Sequence, residues 1–119
     1  MENICRLRRI FSLVYRLERS IKKRFGITAN EIMVLCLLNV TKLSAGELSR
    51  EMGISESRMS KIIDSLEKNK YIVREVGLND KRKMMFSITE KGIDKVREFA
   101  ESDFEVPDID IDKLSSLIC

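Results

Sequence analysis

The chain has 119 residues, of which 44% are hydrophobic and 34% charged, with 22 Lys and Arg against 19 Asp and Glu. This length favours one domain, and this composition is typical of a soluble globular protein and excludes a disordered one. No apolar run is long enough to span a bilayer, and the N-terminus "MENICRLRRIF" lacks the apolar core of a signal peptide. We therefore expect a cytoplasmic protein with no membrane partner.

The residues that most enzymes and metal sites require are scarce. There is no histidine and no glycine-rich phosphate-binding motif, and Cys5, Cys36 and Cys119 are widely spaced with no CxxC pair. Neither nucleophilic nor metal chemistry has its residues, and no disulfide framework is indicated. We expect no enzymatic activity and no cofactor.

Charge is distributed unevenly along the chain. Residues 1–27 carry 8 Lys or Arg against 2 Asp or Glu, a net +6; residues 28–92 carry 11 against 9, a net +2; residues 93–119 carry 3 against 8, a net −5. A basic N-terminal segment and an acidic C-terminal segment have reason to lie near each other, although screening makes each exposed pair weak. The asymmetry bears on assembly more than on fold.

Two helices are predicted before residue 40. Over the first 25 residues apolar side chains recur at helical spacing in a broad stripe, and Gly26 can end the helix in a left-handed conformation. The second helix begins at the capping box "TANE", with Thr28 as N-cap and Glu31 three residues later. Its body, "IMVLCLLNV", is apolar nearly all round, so we expect it, Cys36 included, at the centre of the core.

A helix-turn-helix is predicted next. The capping box "SAGE", formed by Ser44 and Glu47, begins a short helix that runs to about Met52. Gly53 then supplies a turn, and a third helix extends over 55–69. Two short helices joined through a glycine turn are a signature of the motif, although many such pairs never touch nucleic acid.

The following segment turns this motif into a winged helix. "YIVREV" and "MMFSI" predict two short strands around the turn "GLNDKRK". Thr89 caps a further helix that carries Ile93, Val96 and Phe99. The order helix, helix, helix-turn-helix, hairpin, helix predicts a mainly α fold with a small β-hairpin wing, of the α+β class.

These segments also resemble a known family. "GITANEIMVLCLL", "LSAGELSREMGISESRMSKIIDSLEKNKYIVREV" and "NDKRKMMFSITEKG" are similar to the MarR family of transcriptional regulators, whose wing commonly shows an Asp-x-Arg run followed by a strand, Leu-Thr and a Gly. Asp80 and Arg82 match the Asp and the Arg, Ile88 takes the Leu position, and Thr89 and Gly92 follow. The resemblance covers about residues 26–92.

The resemblance implies a sequence-specific, homodimeric DNA-binding regulator, a repressor in its usual form, with inverted-repeat double-stranded DNA and a small-molecule effector as partners. Residues 1–27 would be an N-terminal dimerisation helix, 28–92 the winged helix-turn-helix and 93–119 abbreviated C-terminal dimerisation helices. The residues expected in the dimer interface are Ile4, Leu7, Phe11, Val14, Leu114, Leu117 and Ile118.

Candidate DNA contacts come from two places. The recognition helix would enter the major groove by its N-terminal turns, while the cationic wing would fit a narrow minor groove, where the potential favours arginine. Arg82 is the principal wing candidate, and Asp80 would orient Arg82 or close the turn. The full candidate set is Ser55, Ser57, Arg58, Ser60 and Lys61 on the helix and Asp80, Lys81, Arg82 and Lys83 on the wing.

Each candidate DNA contact also has a simpler interpretation. A charged hairpin tip can be merely solvated, Ser55 can be only a helix cap, and a winged helix can serve as a protein-protein interaction module that never binds DNA. Some members of the family sense oxidants through a cysteine in the first helix; Cys5 is a candidate because Arg8 and Arg9 would lower its pKa, although an inert cysteine is the commoner case.

The sequence departs from the family pattern in two places. Lys70 stands where many members carry a glycine after the recognition helix, so we expect the helix to stop at Asn69 or through a different turn geometry. The usual long final helix is also missing or abbreviated.

Overall fold

The computed structural model describes residues 1–77 and 81–107. Within these ranges the elements follow the predicted order, so the mainly α fold with a β-hairpin wing is confirmed. The helices are α1 (Glu2–Phe25), α2 (Ala29–Leu38), α3 (Ala45–Met52), α4 (Glu56–Lys68) and α5 (Glu90–Ala100), and the strands are β1 (Ile72–Val76) and β2 (Met84–Ile88). None of these helices combines the length and the apolarity that a membrane span requires.

The chain divides into two compact units. One contains Met1–Ala29 together with the segment that begins at Asp103, and the other is Asn30–Ser102. The second unit therefore holds the helix-turn-helix, the hairpin and α5. Its core contains completely or almost completely buried side chains from α2, α3, α4 and β1, namely Val34, Leu35, Leu48, Met59, Leu66 and Ile72.

Helix α2 differs from its prediction. Ile32, Leu35 and Leu38 are buried as expected, but Met33 is 45% exposed and Cys36 is exposed as a free cysteine. The prediction that Cys36 lies in the core was wrong. A helix that is apolar all round has no amphipathic contrast, so the sequence could not indicate which of its faces would be left uncovered.

Helix α4 stops at Asn69, its C-cap, as expected, and Lys70 after it adopts the left-handed conformation with φ 63°. The N–H of Lys70 donates to the carbonyl of Glu67 at 3.0 Å, and the N–H of Tyr71 donates to that of Leu66 at 2.9 Å. These two bonds form a Schellman motif, the turn in which glycine is usually found. The chain keeps the glycine geometry with a lysine in the position.

The hairpin is held against the helices at its base. β1 and β2 pair antiparallel from Ile72 with Ile88 to Val76 with Met84. Leu43, between α2 and α3, adds a bridge to Phe86 of β2: the Phe86 N–H donates to the Leu43 carbonyl at 2.8 Å, and the reverse bond measures 3.3 Å. The wing thus starts from a base fixed to the helix-turn-helix.

Gly92 allows α5 to begin close to this base. A Cβ added at Gly92 would lie 2.4 Å from the carbonyl oxygen of Tyr71 and 2.6 Å from Cγ1 of Ile88. Thr89 caps α5 by accepting a hydrogen bond from the Gly92 N–H at 3.2 Å, and its hydroxyl lies 2.7 Å from the Lys70 carbonyl. The "TEKG" segment therefore joins α5 to the turn that follows α4.

Candidate nucleic-acid interface

The recognition helix α4 presents a polar face to solvent. Its buried side is formed by Met59, Ile63 and Leu66. Its N-cap, Ser55, accepts a hydrogen bond from the Arg58 N–H at 3.2 Å. This serine therefore caps the helix, which was the alternative to a DNA contact. The exposed candidates along the first turns are Ser57, Arg58, Ser60 and Lys61.

The wing candidates Lys81, Arg82 and Lys83 are exposed and stand immediately before β2. The N–H of Gly77 donates to the carbonyl of Lys83 at 2.7 Å, which extends the hairpin beyond its last strand pair. Asp80, the residue expected to orient Arg82, lies outside the described residues. Recognition helix and wing belong to the same compact unit.

Lys83 makes an ion pair that the wing prediction did not foresee. Its Nζ lies 2.9 Å from Oε1 of Glu47 in α3, and the same oxygen accepts a hydrogen bond from the Ser44 N–H at 3.2 Å. Hydrogen bonds from Lys83 and then from Ser44 lower the pKa of Glu47 from 4.5 to about 2. Lys83 therefore already has an anionic partner within the domain.

A second pair, also missed by the sequence reading, joins the recognition helix to β1. Arg74 donates from Nε to Oε2 of Glu67 at 2.8 Å and from Nη2 to Oε1 at 2.5 Å, and its guanidinium lies 5.5 Å from the ring centroid of Phe86. This fork lowers the pKa of Glu67 and raises that of Arg74. The left-handed turn at Lys70 reverses the chain between the two residues, so their spacing in sequence carried no recognisable signal.

A third pair lies near the turn end of the hairpin strands, where Nζ of Lys42 is 2.6 Å from Oε1 of Glu75. The hairpin is thus connected by opposite charges to the segment before α3, to α3 itself and to α4. Exposed pairs are individually weak, but three of them distributed along one hairpin restrict its direction.

A buried carboxylate supports the recognition helix from behind. Glu31 of α2 is 6% exposed and accepts a hydrogen bond at 2.9 Å from the hydroxyl of Ser65 in α4. The sequence indicated only a capping role for Glu31. Its contact with α4 joins two residues that are 34 positions apart in sequence, which a local motif does not reveal.

The predicted dimerisation residues on α1 share an exposed face. Ile4 is 65% exposed, Leu7 56%, Phe11 49% and Val14 38%. The aromatic ring of Phe11 meets that of Tyr15 edge to face with centroids 6.0 Å apart. The other predicted dimerisation residues, Leu114, Leu117 and Ile118, lie outside the described residues.

The remaining predictions for the ends of the chain concern Cys5 and the charge asymmetry. Cys5 is buried and disulfide-bonded, which the sequence did not indicate. Its role as a sensor of oxidants stays a prediction. Arg24 pairs with Asp103 and lowers the pKa of that carboxyl, an instance of the expected attraction between the basic and acidic ends.

The part of the chain that forms the helix-turn-helix and most of the wing is similar to known proteins. The model of the MarR family matches residues 25–83, which contain α2, the helix-turn-helix and most of the wing. The winged helix-turn-helix of this chain belongs to the MarR family. Solved members of this family include transcriptional regulators.

Two solved structures illustrate the relationship. AbsC, a MarR family transcriptional regulator from Streptomyces coelicolor, is 27% identical with a TM-score of 0.72; the match covers 79% of this chain and 65% of AbsC. A mutant of MarR from E. coli, solved in complex with operator DNA, is 21% identical with a TM-score of 0.69 and shares the fold over 76% of this chain and 68% of its own.

One curated relative is a kinase. The riboflavin kinase of Thermoplasma acidophilum is 44% identical over 64 residues, which are 53% of this chain and 28% of that protein. The chain thus spans little more than a quarter of this relative, and the kinase activity in its name is a property of that protein.

Proposed function

We propose that the chain binds double-stranded DNA as a homodimeric transcriptional regulator of the MarR type, with α4 in the major groove and the wing in the adjacent minor groove. One observation carries the proposal: the exposed face of α4 and the cationic wing tip belong to one compact unit whose parts are joined by hydrogen bonds and ion pairs. A rigid pairing of helix and wing is what two neighbouring grooves require.

The exposed side chains have the chemistry for these roles. Arg58 can read guanine through its guanidinium fork, while Ser57, Ser60 and Lys61 can bond bases or phosphates. Arg82 and Lys81 on the wing suit a narrow minor groove, where the electrostatic potential is most negative. Ser55 is left out of this set because its hydroxyl already caps α4.

A second copy of the chain would cover the apolar face of α1. Ile4, Leu7, Phe11 and Val14 occupy one side of a 24-residue helix and are all substantially exposed. A two-fold dimer through this face would present two recognition helices, and so would bind an inverted repeat. Binding across a promoter in the cytoplasm would repress transcription by occlusion, and an effector would act by binding two states of the dimer with different affinity.

The test is selection from a library of random duplexes at moderate salt, with Arg82→Ala carried in parallel. Arg97→Ala on α5 is the matched control, since it removes the same charge from a residue outside the helix-turn-helix and the wing. We expect the wild type and Arg97→Ala to enrich an inverted repeat with half-sites about one helical turn apart, and Arg82→Ala to enrich it less.

A flat selection, with neither enrichment nor salt-sensitive binding by the wild type, would contradict the proposal. The function to examine next would then be a winged helix that binds another protein. Equal enrichment by the wild type and Arg82→Ala would remove the wing, but not α4, from the proposed contact surface.

A further inference from the structure

Lys83 is the wing cation whose surroundings differ from what the sequence indicated. Its ammonium lies 2.9 Å from Oε1 of Glu47, and Glu47 belongs to α3, the first helix of the helix-turn-helix. Lys83 also precedes β2 and accepts the Gly77 N–H through its carbonyl at 2.7 Å. The side chain and the backbone of this one residue therefore join the wing tip to α3 and to the opposite strand.

The Glu47 end of the pair is held by the capping box of α3. The Glu47 N–H donates to the hydroxyl of Ser44, and the Ser44 N–H donates to the Glu47 carboxylate, both at 3.2 Å. A carboxylate fixed in this way loses little additional rotamer freedom when it binds a cation. This pair therefore avoids part of the entropy that usually makes surface ion pairs weak.

The same geometry argues against a phosphate contact by Lys83. An ammonium that left Glu47 for a phosphate would uncover a carboxylate beside a surface that attracts phosphates. Like charges placed together in this way oppose binding.

We propose that Lys83 is a positioning residue: together with Glu47 it fixes the direction in which the wing presents Arg82, and it makes no contact with DNA itself. This proposal rests on the proposed DNA-binding function, because it assigns Lys83 a part in the same wing. Loss of either partner removes the ion pair nearest the wing tip, while the pairs of Arg74 with Glu67 and of Lys42 with Glu75 remain. The arginine is then presented over a wider range of directions.

The first test compares affinities for the selected duplex among the wild type, Glu47→Gln, Lys83→Met and the double variant. Glutamine preserves the capping box, so Glu47→Gln removes the charge of the pair and leaves the start of α3 intact. We expect Glu47→Gln to weaken binding about three- to tenfold, although it removes a negative charge, because a charge-assisted contact no longer directs the wing. The affinity of the double variant should equal that of the single variant with the lower affinity, or exceed it.

Glu51→Gln is the matched control, since Glu51 is an exposed residue of the same helix and the substitution changes the net charge equally. It should bind as tightly as the wild type or slightly more tightly. The dependence of affinity on salt should have the same slope for Lys83→Met as for the wild type, because no phosphate contact is lost.

The opposite pattern would overturn the proposal. If Lys83 binds phosphate, Glu47→Gln frees it and tightens binding, and Lys83→Met reduces the slope of log affinity against log salt by about 1. Additive losses in the double variant would also show that the two residues act independently.

Amide hydrogen exchange in the free protein separates this proposal from the DNA-binding proposal. We expect Glu47→Gln and Lys83→Met both to speed exchange at Gly77, while exchange at Leu48 in the core stays unchanged. Unchanged exchange at Gly77 would refute the anchoring role even if the protein binds DNA. A wild type that binds no duplex would refute the DNA-directing part, whereas faster exchange at Gly77 would still show that the pair anchors the wing.

Discussion

Arg74 of β1 binds both carboxylate oxygens of Glu67 in α4, with nitrogen-oxygen distances of 2.8 and 2.5 Å. Its guanidinium also lies over the ring of Phe86 in β2. One side chain therefore connects the end of the recognition helix with both strands of the wing. Arginine alone suits this position, because lysine has neither the planar fork nor the flat surface for stacking.

Substitution of Arg74 by Lys should loosen the wing although the charge is kept. We expect faster amide exchange in β1 and a lower urea midpoint, both measured on the free protein. Arg97→Lys is the matched control, since Arg97 makes a single bond to Asp94 at 3.3 Å on the surface of α5. An equal decrease in the two variants would show that the fork at Glu67 has no special role.

Substitution of Gly92 by Ala should destabilise the domain. The methyl group of the new alanine would lie 2.4 Å from the carbonyl oxygen of Tyr71. This oxygen belongs to the backbone and cannot move aside as a side chain can. We expect a loss of about 1–3 kcal/mol in the free energy of unfolding, the usual cost of overpacking.

Gly46→Ala tests the same change where there is room. An added Cβ at Gly46 would meet only the ends of two side chains at 3.7 Å. Inside helix α3 alanine should raise stability by about 0.5–1 kcal/mol. A Gly92 variant as stable as the Gly46 variant would contradict the close approach of α5.

Substitution of Lys70 by Gly should stabilise the protein, because Lys70 occupies a left-handed conformation that glycine adopts without strain. We expect a gain of about 0.5–1 kcal/mol, measured by urea unfolding and partly offset by the greater freedom of glycine in the unfolded chain. Lys68→Gly, at the last residue of α4, should instead lose about as much. A destabilised Lys70→Gly variant would show that the lysine side chain makes a contribution larger than the backbone strain.

The acid limit of stability should depend on Glu47. Its pKa is lowered from 4.5 to about 2, so the folded state binds its proton less readily than the unfolded state. The stabilisation is fully present above the unfolded pKa and is lost as the pH falls from about 4.5 towards 2. The urea midpoint measured across this range should fall less steeply for Glu47→Gln than for the wild type; parallel curves would contradict the assignment.

Substitution of Leu7 by Glu should disrupt the proposed dimer, because it places a charge in the centre of the apolar face of α1. We expect a lower sedimentation mass at micromolar concentration and an unchanged helical circular dichroism spectrum. Lys23→Glu, at an exposed position of the same helix, is the control and should remain dimeric. A wild type that is monomeric at high concentration would contradict the dimer itself.

The sequence predicted those parts of the fold that depend on local chemistry. The capping boxes, the glycine turn at Gly53 and the polar turn between the strands each determine the backbone over a few residues, and the helices and strands that they bound are present. The exposed face of α2 was missed because its pattern is apolar on every side. The pairs of Glu47 with Lys83 and Glu67 with Arg74 were missed because they form only after the hairpin has packed on the helices.

In the candidate site, too, local sequence predicted some features and tertiary packing determined others. Exposure of Arg58 and Lys61 on α4 could be read from helical periodicity, since the buried positions define the opposite face. Exposed position, however, does not distinguish a residue that binds DNA from one that orients its neighbour. For Lys83 the proposed distinction rests on its tertiary contact with Glu47.

We propose that α4 and the wing bind adjacent grooves of one duplex. Hydroxyl-radical footprinting of the wild type and Arg82→Ala on the selected duplex would map both contacts in one experiment. We predict two protected half-sites about one helical turn apart, each flanked by minor-groove protection that Arg82→Ala loses while the half-sites remain. Protection without two-fold symmetry, or flanking protection that persists in Arg82→Ala, would contradict this account.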